Sequence, residues 1–224
     1  MFEKKPEYPC AISDFSEEGC IAAFRWCCSH LQGNQFLTLW TPQKRTLRSN
    51  LFLESVASDR RVKSTTPRDG IYRADGPVLA MYPHPDDLGS VVDGTGITAL
   101  AVVTWAYPLD TWARETKSEV LVPPSFDDET RAAHRLTVEE PMDSEVVYGL
   151  EQITKVINHN NTIAARGFEK SRVIEVLLRL HDAGLNLPPT QMMEWAAANG
   201  WRGDNVKELG RYAQAINGGK RPRK

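Results

Sequence analysis

The pattern of apolar and polar positions changes character near residue 123 and predicts two differently built parts. Before that residue, segments with the helical spacing of apolar positions alternate with short apolar segments typical of buried strands. The predicted helices cover 16–31, 46–57, 86–92 and 109–115; the predicted strands cover 34–40, 77–82, 97–105 and 119–122, with a short strand at 61–64. This alternation predicts an α/β domain over residues 1–122, built on a mixed or mostly parallel sheet.

The second part of the chain contains only helical patterns. Four helices are predicted: an apolar stripe over 146–157, a second helix from Phe168 to Gly184, a third from Pro188 to Gly200, and a fourth capped by Asp204. Residues 220–224 form a basic tail. The sequence therefore predicts a helical domain over 141–224. The acidic, proline-marked residues 123–140 are predicted to be a linker or an exposed arm.

Composition restricts the class of protein. The 224 residues include 41% hydrophobic residues, with 27 Lys and Arg against 29 Asp and Glu. These values exclude a fibrous or wholly disordered chain. No apolar run has the length of a membrane span, and the first residues lack an apolar signal segment. The four cysteines all lie in the first 28 residues without a Cys-x-x-Cys pair, so reduced thiols and a cytoplasmic location are expected.

The charges are strongly segregated along the chain. Residues 44–73 carry 8 basic and 3 acidic side chains, a net charge of +5. Residues 74–140 carry 4 basic and 12 acidic side chains, a net charge of −8. Such asymmetry indicates surfaces that attract charged partners.

One candidate site lies at the third and fourth predicted helices. Ala196, Gly200 and the later aliphatic residues are spaced as in helix-turn-helix repressors, where a glycine makes the turn. The segment 194–201 also resembles the DNA-binding end of actinobacterial nucleoid-associated xenogeneic silencers, which share its Trp-Ala-x-x-x-Gly core. Those proteins continue with Arg-Gly-Arg, whereas this chain continues with Arg202-Gly203-Asp204. The resemblance implies DNA contact. The expected phosphate-binding residues are Arg202, Lys207, Arg211, Lys220, Arg221, Arg223 and Lys224. The alternative is an ordinary helical hairpin joined by Asn199-Gly200.

A second candidate site follows the strand at 77–82. His84-Pro85-Asp86-Asp87 resembles the signature of PIG-L-type N-acetylglucosaminyl deacetylases, which are zinc amidases. The resemblance implies that His84 and Asp87 bind zinc and that Asp86 is the base that activates the zinc-bound water. The alternative is a turn that starts a helix, with Pro85 in the first turn and the carboxylates at the helix N-terminus.

The sequence predicts one preferred function and leaves two alternatives open. The preferred prediction is an intracellular, non-enzymatic binding or regulatory protein without a cofactor, which contacts nucleic acid through the C-terminal helix pair and the basic tail. The first alternative is a zinc-dependent amide hydrolase. The second is a protein-interaction module whose acidic arm and basic tail bind another protein or a second copy of the chain. No membrane partner is expected.

Overall fold

A computed structural model describes residues 7–48, 50–69, 73–123, 141–158 and 162–223. In these residues, strands and helices alternate up to Val122, and only helices follow, which confirms the predicted fold class. The first part comprises β1 (Cys10–Ser13), α1 (Glu17–Ser29), β2 (Leu37–Trp40), a 3₁₀ helix (Lys44–Arg48), α2 (Leu51–Ser58), β3 (Val62–Thr65), β4 (Arg73–Met81), a 3₁₀ turn (Pro85–Asp87), α3 (Leu88–Val92), β5 (Thr95–Val103), α4 (Asp110–Thr116) and β6 (Glu119–Val122). The second part comprises α5 (Ser144–Val156), α6 (Phe168–Asp182), α7 (Pro189–Ala198) and α8 (Asp204–Asn217).

The strands form one sheet with the order β3-β2-β4-β5-β1-β6, and each described pairing is parallel. β4 begins at Arg73, earlier than the predicted 77, because its first residues still pair with β5 at Thr95. β4 and β5 lie in the interior of the sheet and are buried on both faces, which accounts for their nearly continuous apolar sequences.

Each face of the sheet is covered by a different set of helices. On the first face, Leu79, Met81 and Ala101 pack against α1 and α2, and the buried free thiols of Cys20 and Cys27 belong to this core. On the second face, alternate residues of the same strands pack against α3, α4 and the helices from α5 to α8. Because α3 and α4 are short, most of the cover on the second face comes from the C-terminal helices.

One continuous core thus joins the two sequence-predicted parts. Residues 124–140 of the predicted linker lie outside the described residues. None of the described helices has the length and apolar character needed to cross a membrane.

A buried carboxylate links the C-terminal helices to α4, the helix that follows β5. Glu194 of α7 is buried, and its Oε2 accepts hydrogen bonds from the backbone N–H groups of Thr111 and Trp112, at 2.9 and 3.0 Å. These amides open α4, where no residue of the preceding chain provides a side-chain cap and Leu109 has a left-handed conformation. Glu194 therefore supplies from a distant helix the cap that α4 lacks locally.

Further hydrogen bonds hold the C-terminal helices to each other. The Trp201 Nε1–H donates to Thr154 Oγ1 of α5 at 2.8 Å. Asn205 Oδ1 accepts from the Ile163 N–H, and the Tyr212 hydroxyl donates to the Ile163 carbonyl. Gly203 is the N-cap residue of α8, and Asp204 is the first residue of the helix. The predicted side-chain cap by Asp204 is therefore wrong. These bonds fix α8 to the segment that precedes α6.

We expect Glu194→Ala to lower the free energy of unfolding by about 2–4 kcal/mol, because two buried backbone N–H groups lose their acceptor. Glu194→Gln keeps one acceptor oxygen and is expected to cost less. The measurement is urea unfolding followed by circular dichroism. Glu151→Ala, on the exposed side of α5, is the matched control and should stay within about 0.5 kcal/mol of wild type. A Glu194→Ala cost no larger than that of the control would contradict the capping role.

Candidate ligand-binding cleft at the carboxyl edge of the sheet

The connections between strands leave a crevice at the carboxyl edge of the sheet. The chain leaves β1 and β2 through α1 and α2, on the first face, but leaves β4 and β5 through α3 and α4, on the second face. The neighbours β2 and β4, and likewise β5 and β1, therefore send their connections to opposite sides. Ligands of open parallel sheets bind where neighbouring connections diverge in this way.

A cleft of about 510 Å³ lies in this position. It is lined by residues that follow four different strands: Phe15 after β1; Pro42, Gln43, Arg45 and Thr46 after β2; Tyr82 after β4; and Trp105 after β5. Its volume falls in the range of small-molecule sites. The Tyr82 and Trp105 ring centroids are 6.2 Å apart, with the ring planes at 61°. This aromatic cleft thus contains three aromatic side chains together with one cationic side chain, that of Arg45.

Tyr82 is held in an unusual backbone conformation. Its φ is +59°, in the left-handed region that bulky residues seldom adopt. Its N–H still donates to the Val103 carbonyl at 2.8 Å, and its phenol oxygen lies 3.6 Å from Cys20 Sγ. Burial raises the pKa of Tyr82 above the usual range and contact with Cys20 raises it further, while a hydrogen bond with Asn50 lowers it. The phenol is therefore neutral at physiological pH, and its ring is fixed as one wall of the cleft.

Hydrogen bonds also fix the conformation of the turn after β1. Asp14 is buried, and its Oδ1 accepts from the Ser16 hydroxyl at 2.6 Å and from the Ser16 N–H at 3.2 Å. Ser16 in turn caps α1 by accepting from the Gly19 N–H. A side chain at position 19 would collide with the Asp14 carboxylate, so glycine is required there. These contacts position Phe15 at the mouth of the cleft.

The His-Pro-Asp-Asp segment is the 3₁₀ turn that follows β4. The His84 N–H donates to Asp87 Oδ2 at 3.2 Å, and His84 Nδ1 accepts from the Asp86 N–H at 3.2 Å, which together make a reciprocal cap. Pro85 occupies the first position of the turn. These are the contacts of the alternative prediction, a turn that starts a helix.

The cap engages one atom of each ligand that the zinc alternative requires. His84 Nδ1 is occupied by the Asp86 amide, and Asp87 Oδ2 by the His84 amide. Among the described residues, no group of three His, Cys, Asp or Glu side chains is placed to hold a metal ion. His134 and His159, two of the later histidines, lie outside these residues. The zinc alternative at His84, Asp86 and Asp87 therefore stays a prediction.

The predicted phosphate-binding residues lie in several different surroundings. Lys207 and Arg211 are exposed one turn apart on α8, and the Arg211 guanidinium donates to Glu208 Oε1 at 2.8 Å. Arg202 is half-buried and lies near Tyr8. Burial and Cys10 raise the pKa of Tyr8, and the positive charge of Arg202 partly offsets this rise. In the tail, Lys220 and Arg223 are exposed, Arg221 lies 2.6 Å from Asp182 Oδ1, and Lys224 lies outside the described residues.

The bend between α7 and α8 is buried. Gly200 has φ +92°, the conformation expected of a turn glycine, but it is covered, and Trp201 beside it is fully buried. The Gly203 N–H donates to the Gly89 carbonyl of α3 at 2.9 Å. The exposed surface of this helix pair is thus the outer stripe of α8, which comprises Asp204, Lys207, Arg211, Gln214 and Asn217.

The aromatic cleft was not among the sequence-predicted sites. Phe15, Tyr82 and Trp105 are separated by 67 and 23 positions, and only the strand order brings them together. The available signal was that Tyr82 and Trp105 are the last residues of the predicted apolar strands 77–82 and 97–105. In a parallel sheet such positions meet at the same edge.

The comparisons with known proteins concern mainly the C-terminal helices. Residues 142–224 match a family model described as Domain of unknown function (DUF1889), and this segment contains α5, α6, α7 and α8. The match covers 83 of the 224 residues, so it does not extend to the sheet or the cleft. The comparisons with curated proteins and with solved structures found no match.

The two carboxylates of the turn provide a test of its structural role through pH. Burial raises the pKa of Asp87, so its contribution to stability is greatest at low pH and falls as pH rises through the raised pKa. Contact with the His84 side chain, whose Nδ1 lies 3.6 Å from Asp86 Oδ1, lowers the pKa of Asp86, so its contribution is present at neutral pH and is lost as pH falls through the lowered pKa.

We therefore expect Asp87→Asn to gain stability relative to wild type, and Asp86→Asn to lose it, when pH rises from about 3 to about 7. Urea unfolding of both variants across this range is the measurement. If raising the pH changed the stability of both variants relative to wild type in the same direction, the opposite pKa shifts of Asp86 and Asp87 would be contradicted. Stabilisation of wild type by one equivalent of zinc that disappears in His84→Ala would restore the metal-site alternative.

Proposed function

We propose that this chain is a binding protein whose α/β part holds a small molecule with a planar aromatic ring at the carboxyl edge of the sheet. The observation that carries the proposal is the cleft in which Phe15, Tyr82 and Trp105, from three different strand ends, surround one volume. The proposal keeps the class of function that the sequence predicts, a binding protein, and places its site on the sheet.

The exposure of the aromatic side chains supports a ring-shaped ligand. Phe15 is 42% exposed and Trp105 is 55% exposed, although both belong to the same cleft. A planar ring inserted between them removes apolar surface from water at about 25 cal/mol per Å². Offset or edge-to-face contact between aromatic rings adds about 0.5–1.5 kcal/mol for each pair. The rigid Tyr82 wall lowers the entropy cost of forming these contacts.

We expect the double variant Phe15→Ala, Trp105→Ala to weaken the binding of planar aromatic compounds by at least about tenfold, because two ring contacts are lost. Saturation-transfer NMR with a set of uncharged aromatics that includes the four common ribonucleosides is the measurement. Phe168→Ala, which removes an aromatic side chain that is 68% exposed on α6, is the matched control. Equal binding by the double variant and the control would refute the proposal, as would a complete lack of binding by wild type.

The exposed cations of the C-terminal region support a second candidate function, contact with nucleic acid. Lys207 and Arg211 share the outer stripe of α8, and Lys220 and Arg223 are exposed in the tail that follows. Phosphate contacts of this kind supply affinity that is independent of sequence and sensitive to salt. Because the bend at Gly200 is buried, this proposal uses the outer stripe and the tail rather than the bend itself.

For this second function, deletion of residues 220–224 is expected to abolish salt-dependent retention on a DNA column. The matched control removes four exposed cations elsewhere, through Arg25→Ala, Arg60→Ala, Lys155→Ala and Arg166→Ala, and should retain binding. Equal loss in both proteins would show that net charge alone is responsible. A salt-insensitive oligomer without DNA retention would favour the protein-interaction alternative.

A further inference from the structure

A second cavity, of about 450 Å³, lies beside the aromatic cleft at the end of β3. The 3₁₀ helix Lys44–Arg48 runs between the two cavities, and Arg45 lines both. A single ligand that occupied both cavities would therefore contact Arg45. This juxtaposition determines what kind of ligand suits the site.

The chemistry of the second cavity differs from that of the first. Its lining includes the cations Lys44, Arg45 and Arg48 together with the hydroxyl side chains that end β3. Asp69 is the carboxylate in this lining; its Oδ2 lies 3.6 Å from Lys44 Nζ and accepts from the Thr66 hydroxyl at 2.9 Å. Three positive charges against one negative charge favour an anion. Guanidinium and hydroxyl donors together suit the several acceptor oxygens of a phosphate.

The strand order sets the separation between the two chemistries. The second cavity lies at the end of β3, the first strand in the sheet order, whereas Tyr82 and Trp105 follow β4 and β5, the third and fourth strands. Strands lie about 4.8 Å apart, so the two centres are on the order of 10 Å from each other. A charged group bonded directly to an aromatic ring does not cover this distance. The ligand needs a spacer between ring and anion, as a sugar provides.

We propose that the ligand class is the nucleoside phosphates, with the base among Phe15, Tyr82 and Trp105 and the phosphate beside Arg45 and Arg48. This inference rests on the proposed function, which requires only the aromatic ring. It adds a second requirement, a compact anion at a fixed separation from the ring.

The experiment compares the full chain's affinity for nucleosides, nucleoside mono- and diphosphates, and inorganic phosphate by isothermal titration calorimetry. We expect at least one phosphorylated form to bind about tenfold more tightly than its nucleoside, because charge-assisted hydrogen bonds are added. Inorganic phosphate alone should bind more weakly than the phosphorylated nucleoside, since it lacks the ring contacts.

Two substitutions with opposite expected signs test the position of the phosphate. Arg48→Gln should remove most of the advantage of the phosphorylated form and leave nucleoside affinity unchanged. Asp69→Asn should increase that advantage, because it removes a negative charge while keeping an acceptor for Thr66. Asp59→Asn removes a similar charge at the opposite end of β3 and is the matched control, with no change expected.

The outcomes separate this inference from the proposed function. A phosphate advantage that falls in Arg48→Gln and rises in Asp69→Asn supports the inference. Equal affinity for nucleosides and their phosphates, or an advantage that neither substitution changes, overturns the inference and leaves the aromatic cleft in place. If neither nucleosides nor other planar aromatics bind, the proposed function itself fails.

Discussion

The cap that Glu194 places on α4 is the interaction on which the arrangement of the whole chain depends. α4 follows β5 and carries Trp112 into the core, yet no residue of the preceding chain caps its first amides through a side chain. The carboxylate that accepts from those amides comes from α7, more than 80 residues later. The C-terminal helices therefore complete the second face of the sheet and hold the connection that leaves its carboxyl edge.

This cover explains why the cleft lies where it does. α7 and α8 bury the second face down to the turn at His84, so the apolar residues of the inner strands β2, β4, β5 and β1 are enclosed on both sides. The carboxyl edge remains, where the strand connections diverge and the aromatic side chains lie partly exposed. The cleft at that edge and the packing of the helical region are then two consequences of the same topology.

Local patterns in the sequence predicted most elements but not their assembly. β5 and β6 were predictable because their apolar runs are bounded by turns, and the helix 204–217 because its apolar positions recur at helical spacing. The role of Glu194 was not predictable, since a glutamate in a helix is usually exposed and its partners are backbone amides far along the chain. His84-Pro85-Asp86-Asp87 shows the converse. The local sequence resembles a metal motif, while the contacts among these residues are those of a cap.

The most direct test of this arrangement is hydrogen exchange of the Thr111 and Trp112 amides, measured by NMR in low concentrations of denaturant. If Glu194 joins the helices and the sheet in one cooperative unit, these two amides open with the same free energy as the amides of β5 and α7. Opening of α7 and α8 at a clearly lower free energy, with β5 still protected, would contradict that account.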